Sequence, residues 1–309
     1  MSKKKPLVSI IMPAYNCEKY VKTAVDSILN QTYLNFELLI ADDCSKDTTK
    51  KIIDSYTDIR IKRFHNEFNM GYLQASNKLF KECKGDFITF QDADDYSAAN
   101  RLELLVGFLE KNSDYACVGS NVIKVDDLDN KLYTTSFPLD DGEIKARFAD
   151  TRVVMTGSSL LVKKEVVDEI GYYNLYFNRL GSEDVYWFSF ILNYFKVANV
   201  PEGLYYYRSN PTSVSSFFKD PKTKVLHNLV VFLYRRRKQG KEDYLQSNNL
   251  KKTDTICKFL VLLNILPAKK ISVFFKYIFL SIKYPATNML FVRDFMFKFF
   301  KKVELNRNI

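Results

Sequence analysis

Early in the chain, three short apolar runs each end in a polar loop, and each is followed by a segment with helical period. Leu7-Val-Ser-Ile-Ile-Met12 leads into Pro13-Ala14-Tyr15-Asn16. Phe36-Glu-Leu-Leu-Ile-Ala41 leads into Asp42-Asp43-Cys44-Ser45, and Asp86-Phe-Ile-Thr-Phe90 into Gln91-Asp92-Ala93-Asp94-Asp95. Between them, Glu18 to Gln31 places Val21, Ala24, Val25, Ile28 and Leu29 on one helical face. Ser45 is positioned to cap a helix over Lys46–Ser55, and further helices are predicted over Tyr72–Cys83 and Leu102–Lys111. Ile59–Phe64 alternates as an edge strand would, and Ala116–Ser120 reads as one more strand. Alternating strands and helices imply an α/β fold on a mostly parallel sheet with right-handed crossovers. In such a sheet a ligand binds beyond the carboxyl ends of the strands, so the loops just named are the candidate site.

Composition narrows the chemistry. The 309 residues carry 47% apolar and 27% charged side chains, enough for a packed core. Five cysteines, Cys17, Cys44, Cys83, Cys117 and Cys257, are widely spaced and never paired as C-x-x-C. They exclude a disulfide scaffold and a zinc ribbon and suggest a reducing compartment. With only His65 and His227, a histidine-rich metal site is excluded, and His65 is expected to be structural. The net charge of +10 is unevenly spread: from Phe217 onward 20 Lys and Arg stand against 6 Asp and Glu, a balance of +14. The first 216 residues, with 26 basic and 30 acidic groups, balance at −4. Nucleic acid is therefore not an expected partner of the acidic-loop half, and the tail has its own electrostatic task. The Leu7–Met12 run is too short for a signal peptide or a membrane span, so a cytoplasmic location is expected.

The loop after the first run lacks G-x-G-x-x-G, G-x-x-x-x-G-K-[ST] and the glycine-rich loop of a nucleotidyltransferase. The loop after the third offers three carboxylates in four residues. Asp92 and Asp94, at i and i+2, project to one side if the chain stays extended. Mn2+ or Mg2+ commonly takes one or two carboxylates and completes its shell with substrate phosphates. The same acids could instead cap the helix that follows.

Taken together, these blocks resemble family 2 glycosyltransferases, which have the GT-A fold. The matching stretches are Val8–Asn16, Ser27–Thr32, Phe36–Asp43, Asn69-Met-Gly71 and Gly85-Asp86 with Gln91–Asp95, spread over Leu7 to Leu128. The likeness is greatest to bacterial enzymes that add single sugars to lipo-oligosaccharide, capsule or O-antigen chains. It implies a nucleotide-sugar-binding half over 1-128 and an acceptor half over 129-216, followed by a basic, Phe-rich helical tail over 217-309. By the same resemblance Pro13, Ala14, Tyr15, Asn16, Asp42 or Asp43, Asn69, Gly71 and Asp92 hold the donor nucleotide. Asp94, with Asp92, would ligate the metal. Two departures stand out: Cys44 replaces a common Gly, and Ser76 replaces an Arg that often precedes Asn77.

Further along, Met155–Lys164, Val167–Gly171, Gly181-Ser-Glu183-Asp184 and Tyr205-Tyr-Tyr-Arg208 match the acceptor half. Asp184 is thereby implied as general base, with Glu183 orienting it or binding acceptor; helix-terminal acids stabilised by the dipole are the rival reading. Trp187 is a candidate platform for a sugar ring, or core, and Arg208 a candidate ligand of the leaving diphosphate, or a strand arginine. The implied activity is inverting, metal-dependent hexosyl or N-acetylhexosaminyl transfer, foremost from a UDP-sugar, to a glycan or lipid-linked oligosaccharide. A catalytically inactive sugar-nucleotide or glycan-binding protein of the same fold is the alternative. In the tail, Arg235–Lys238 and the runs Phe259–Leu266, Ile271–Ile282 and Phe295–Lys302 read as interfacial helices. They predict a peripheral attachment to an anionic membrane surface, on the cytoplasmic face of the inner membrane. Packing on the catalytic domain or at a subunit interface is the other reading.

Overall fold

The computed structural model describes residues 5–209 and 223–265. Two compact units divide the chain, Met1–Phe218 and Lys219–Ile309.

In the first unit, β1 (Val8–Ala14), β2 (Phe36–Asp42), β3 (Ile61–His65) and β4 (Phe87–Phe90) pair in parallel in the order β3-β2-β1-β4. Every residue of β1, β2 and β4 is buried, as continuous apolar runs require when helices cover both faces. The covering helices of this half are α1 (Val21–Leu29), α2 (Thr49–Asp54), α3 (Tyr72–Glu82) and α4 (Arg101–Lys111). Val21, Ala24, Val25 and Ile28 of α1 are the buried stripe expected from the period, packed into the cluster that holds Val8, Ile10, Met12, Leu38 and Ile40. Pro13 lies inside β1 without cost. Ile11 turns its carbonyl to β4, where Gln91 N donates to it at 2.9 Å. Two residues on, Pro13 faces the same way, past the end of β4, so no ladder bond needs its missing N–H.

Beyond β4 the sheet becomes mixed. After β5 (Tyr96–Ser97) come β6 (Tyr115–Val125), β7 (Lys131–Thr134), α5 (Asp141–Ala149), β8 (Leu161–Lys163), α6 (Lys164–Ile170), α7 (Glu183–Tyr194) and β9 (Lys196–Arg208). The full order is β3-β2-β1-β4-β8-β6-β9-β5, with β7 paired to β6. The short β8 runs antiparallel between β4 and β6, while β9 runs parallel to β6. A parallel sheet thus describes the first half, and the second combines the parallel β6–β9 pair with antiparallel ones.

One local expectation changes and one holds. Ser45 does not cap α2, whose N-cap is Thr48; its hydroxyl instead accepts from Asn16 N at 3.0 Å. The edge strand β3 ends at His65, whose Nε2 lies 3.0 Å from Asp54 Oδ1, a structural pairing.

In the second unit, α8 (Thr223–Lys238) and α9 (Leu250–Ile265) pack on one another. Arg235–Lys238 form the last turn of α8, where cations suit the helix dipole. Arg237 forms a buried ion pair with Asp243, and Arg236 lies over the Tyr244 ring at 4.2 Å. Among the described residues no helix is long and apolar enough to cross a membrane. Phe259–Ile265 falls within α9, and the runs Ile271–Ile282 and Phe295–Lys302 lie outside the described residues.

Candidate functional site at the carboxyl ends of the strands

The loops after β1 and β2 are stitched together. Asn16 (φ 48°) accepts at Oδ1 from Lys46 N, 2.8 Å, while Tyr15 beside it is 45% exposed. Asp42 and Asp43 are both buried, with different neighbours. Asp43 accepts from Asn66 Nδ2 (2.9 Å), Met70 N (3.0 Å) and Gly71 N (2.8 Å), so its carboxylate is spent on shaping the 66–71 loop. Asp42 accepts only long contacts from Ser45 N, 3.3 and 3.4 Å. Cys44 between the two loops holds φ 63°, the left-handed region in which a glycine is at ease. Ser76 is fully buried on α3, its hydroxyl returned to the Tyr72 carbonyl at 2.8 Å.

After β4 the chain makes a turn closed by Asp95 N on the Asp92 carbonyl, 3.2 Å. Asp92 and Asp94 are half-buried and Ala93 and Asp95 buried, and the turn replaces the extended backbone on which a shared side for the i, i+2 pair is conditional. Asp92 accepts from Tyr72 Oη (3.1 Å) and Ser158 Oγ (2.5 Å), and its N–H donates to Tyr205 Oη (3.0 Å). Asp95 Oδ1 accepts from Arg208 N at 2.7 Å. Burial first, then the charge of Asp92, pushes the Asp94 carboxyl up to about 6. No hydrogen bond from another described residue reaches that carboxylate; its own backbone N–H and the charge of Arg208 oppose the rise without cancelling it. Among the described residues no group of three His, Cys, Asp or Glu forms a metal cage. The Asp92–Asp94 pair nonetheless fits Mn2+ or Mg2+, which take few carboxylates and leave positions to phosphate.

Two arginines support this turn from behind. Arg101 is fully buried; Nη1 donates to the Phe90 carbonyl and Ser97 Oγ, and Nη2 to Thr89 Oγ1, the Phe90 carbonyl and the Ser158 carbonyl. Burial pulls its pKa down to about 10. Sequence reading missed it, although a signal existed: Arg101 stands on the stripe of Leu105 and Leu109, a lone charge on an apolar face. Arg208 is only 3% exposed, its Nε donating to the Asp94 carbonyl (2.9 Å) and Nη1 to Asp129 Oδ1 (2.5 Å). It lies over the Tyr20 ring at 4.6 Å. Its guanidinium therefore braces the acidic turn and is not a projecting anion ligand, as the sequence suggested.

The facing wall comes from the second half. A single 3-10 turn, Gly157–Ser159, precedes β8, and α7 opens with Glu183 and Asp184. Gly157 lies against Asp184: a Cβ there would be 2.5 Å from Oδ2. Its neighbour Ser158 binds Asp92, so one dipeptide joins the two acidic groups. Burial raises the Asp184 carboxyl, with Asp92's charge adding to it, and Val185 N–H at 2.8 Å opposing. Burial and then Asp184's charge push Glu183 to about 8. Of the two readings of Trp187, core rather than sugar platform is what the structure shows. Its ring is 3% exposed, clustered with Phe80, Phe90 and Tyr173, and its indole N–H donates to the Gly171 carbonyl at 2.7 Å. One helical turn from Asp184 is enough to carry a side chain from the site to the core.

The glycosyl transferase family 2 profile matches residues 9–171, more than half of the chain. The chain belongs to that family. UDP-Glc:alpha-D-GlcNAc-diphosphoundecaprenol beta-1,3-glucosyltransferase WfgD of Escherichia coli is 44% identical over 107 residues, 35% of this chain and 42% of that protein. Among solved structures, S. aureus TarS 1-349 in complex with UDP-GlcNAc superposes with a TM-score of 0.61 at 19% identity. That match covers 74% of this chain and 66% of TarS 1-349. Mannosyltransferase PcManGT from Pyrobaculum calidifontis, in complex with GDP-Man and Mn2+, gives 0.57 at 15% identity, over 92% of this chain and 83% of that one. At these identities the two structures speak for the fold, which is the GT-A arrangement expected from the sequence.

Proposed function

We propose that this protein transfers a sugar from a nucleoside-diphosphate sugar to a hydroxyl of a lipid-linked or surface glycan, with inversion at the anomeric carbon. The observation that carries this reading is the Gly157-Ser158 dipeptide. Gly157 lies against Asp184 and Ser158 binds Asp92, and in this reading the first carboxylate is the base and the second belongs to the donor side. In a direct displacement the acceptor oxygen forms its bond to the anomeric carbon as the bond to the diphosphate breaks. The acceptor's proton passes to Asp184. Attack from the face opposite the leaving group inverts that carbon. Burial raises the Asp184 carboxyl while Val185 N–H opposes the rise, and Glu183 beside it is pushed up to about 8 by burial and by Asp184's charge.

On the donor side, the half-exposed Tyr15 ring offers a face to a base, and Asp42 keeps acceptor capacity that Asp43 has spent. Asp94 with Asp92 would hold Mn2+ or Mg2+, which when bound neutralises charge on the departing diphosphate. The names of WfgD and TarS support a UDP-sugar, and that of WfgD supports a diphospholipid-linked acceptor. The +14 balance of the last third supports peripheral attachment to an anionic leaflet, close to such an acceptor.

The test incubates full-length protein with UDP- and GDP-sugars, Mn2+ and a panel of polyprenyl-diphosphate sugars, and follows nucleoside diphosphate release. Acceptor-dependent release that Asp94→Ala abolishes is expected. Donor binding without release under any acceptor would favour the inactive sugar-nucleotide-binding alternative.

A further inference from the structure

The acidic character of the strand-end crevice poses a charge problem. Asp92, Asp94 and Asp95 follow β4, Glu183 and Asp184 open α7, and a donor diphosphate adds further negative charge. Neither arginine behind the acidic turn presents a free fork to a diphosphate. Arg101 is fully buried, its two Nη atoms donating to Thr89, Phe90, Ser97 and Ser158 and its Nε facing no partner among the described residues, and Arg208 is 3% exposed and paired with Asp129.

Arg179 differs from both. It lies on the loop before α7, where Arg179 (φ 60°), Gly181 (φ 79°) and Ser182 (φ 70°) all adopt left-handed backbone. Two of these three carry side chains, so tertiary contacts must hold the loop in a conformation that is strained at both. The loop's shape has two visible consequences. It delivers Glu183 and Asp184 at the start of α7, and it lays Arg179 across the 66–71 loop that Asp43 organises.

There Nη2 alone makes both contacts, to the Asn69 carbonyl (2.9 Å) and to Asn69 Oδ1 (2.7 Å). Both partners are neutral. Among the described residues no carboxylate pairs with this guanidinium, and the side chain is exposed. Gly71 (φ 90°) lies against this loop: a Cβ there would meet Asn178 Oδ1 at 3.1 Å and would be in ordinary contact with the Arg179 side chain. The next residue, Tyr72, reaches Asp92 with its hydroxyl. Arg179 is thus anchored by one nitrogen beside the acidic turn, with Nε and Nη1 still able to donate. An unpaired guanidinium with a spare planar fork is matched to the oxygens of a phosphate.

We infer that Arg179 is a ligand of the donor's diphosphate, supplied from the loop that also carries the base. The inference rests on the nucleotide-sugar reading above. It also ties donor occupancy to the position of α7, because one loop holds Arg179 and leads into Asp184.

The test is calorimetric titration of UDP into full-length wild type, Arg179→Gln and Arg179→Lys at fixed Mn2+, with uridine binding followed by saturation-transfer NMR. Loss of the fork should weaken UDP by ~10–100-fold, the range for hydrogen bonds to charged groups, while uridine binding is unchanged. Arg179→Lys should recover part of the loss. Unchanged UDP affinity in Arg179→Gln would overturn the inference and leave the donor reading standing. A parallel loss of UDP and uridine would overturn it too, since Arg179 would then only shape the Asn69 loop. Wild type that binds neither UDP nor GDP sinks the nucleotide-sugar reading itself, and this inference with it.

Discussion

Gly157 and Asp184 approach so closely that a methyl group on Gly157 would lie 2.5 Å from Asp184 Oδ2 and 3.0 Å from its Cβ. Gly157 does not have positive φ, so alanine fits the backbone there and acts only through that contact. Gly157→Ala should displace the Asp184 carboxylate by a fraction of an ångström to an ångström. Misplacement of a reacting group on that scale costs about 10²-fold in turnover. Steady-state kinetics should show kcat falling while the donor KM holds; unchanged kcat would separate Asp184 from the chemistry.

Asp184→Asn keeps the shape of the side chain and removes its capacity to take a proton. Turnover should fall by ~10²–10⁴, with UDP affinity retained in calorimetry. Lost UDP affinity would mean that Asp184 belongs to the donor side.

Glu183 offers a stability test with a definite sign. Its folded-state pKa is about 8 against an ordinary 4.5, because burial and Asp184 disfavour its charge. Between these pH values the unfolded chain has released a proton that the folded chain still holds. Stability at this position therefore falls as pH rises from about 4.5 to about 8, and levels off above that. Glu183→Gln removes the titration. In thermal melts its advantage over wild type should grow across this window; an advantage that is flat with pH would contradict the buried, charge-repelled setting.

Cys44 occupies a left-handed position, and its thiol accepts only a long, exposed contact from Lys46 Nζ at 3.5 Å among the described residues. Cys44→Gly relieves a strain of about 1–2 kcal/mol, offset by about 0.4–1 kcal/mol of added unfolded-state freedom. Urea unfolding should show a small net gain, up to about 1 kcal/mol. A clear loss would show that the thiol is held by its surroundings.

The basic tail predicts salt-sensitive membrane binding. Full-length protein should sediment with anionic vesicles, at about 1 kcal/mol per surface Lys or Arg engaged, and be released by high salt. Equal binding to neutral vesicles, insensitive to salt, would exclude the electrostatic attachment.

What sequence alone reaches here is what depends on near neighbours. The buried stripe of α1 and the doubly covered runs of β1 and β2, with the polar loops that end them, follow from periods of 3.6 and 2, which operate over a few residues. Their placement at the carboxyl ends of parallel strands follows from the handedness of crossovers. The remaining features are set by closure over long separations, which no local period encodes. Arg101 and Ser158 stand 57 residues apart, and Asn69 and Arg179 110 apart. Asp43 and Asp42, adjacent and chemically alike, part company because one alternates toward the 66–71 loop and the other toward Ser45. Trp187, three residues from Asp184, turns into the aromatic core because α7 is apolar on most of its surface, so the helix's packing decides which side is buried. The meeting of Asp92 and Asp184 across Gly157-Ser158 exists only once β8 has inserted between β4 and β6 and drawn the preceding turn against both.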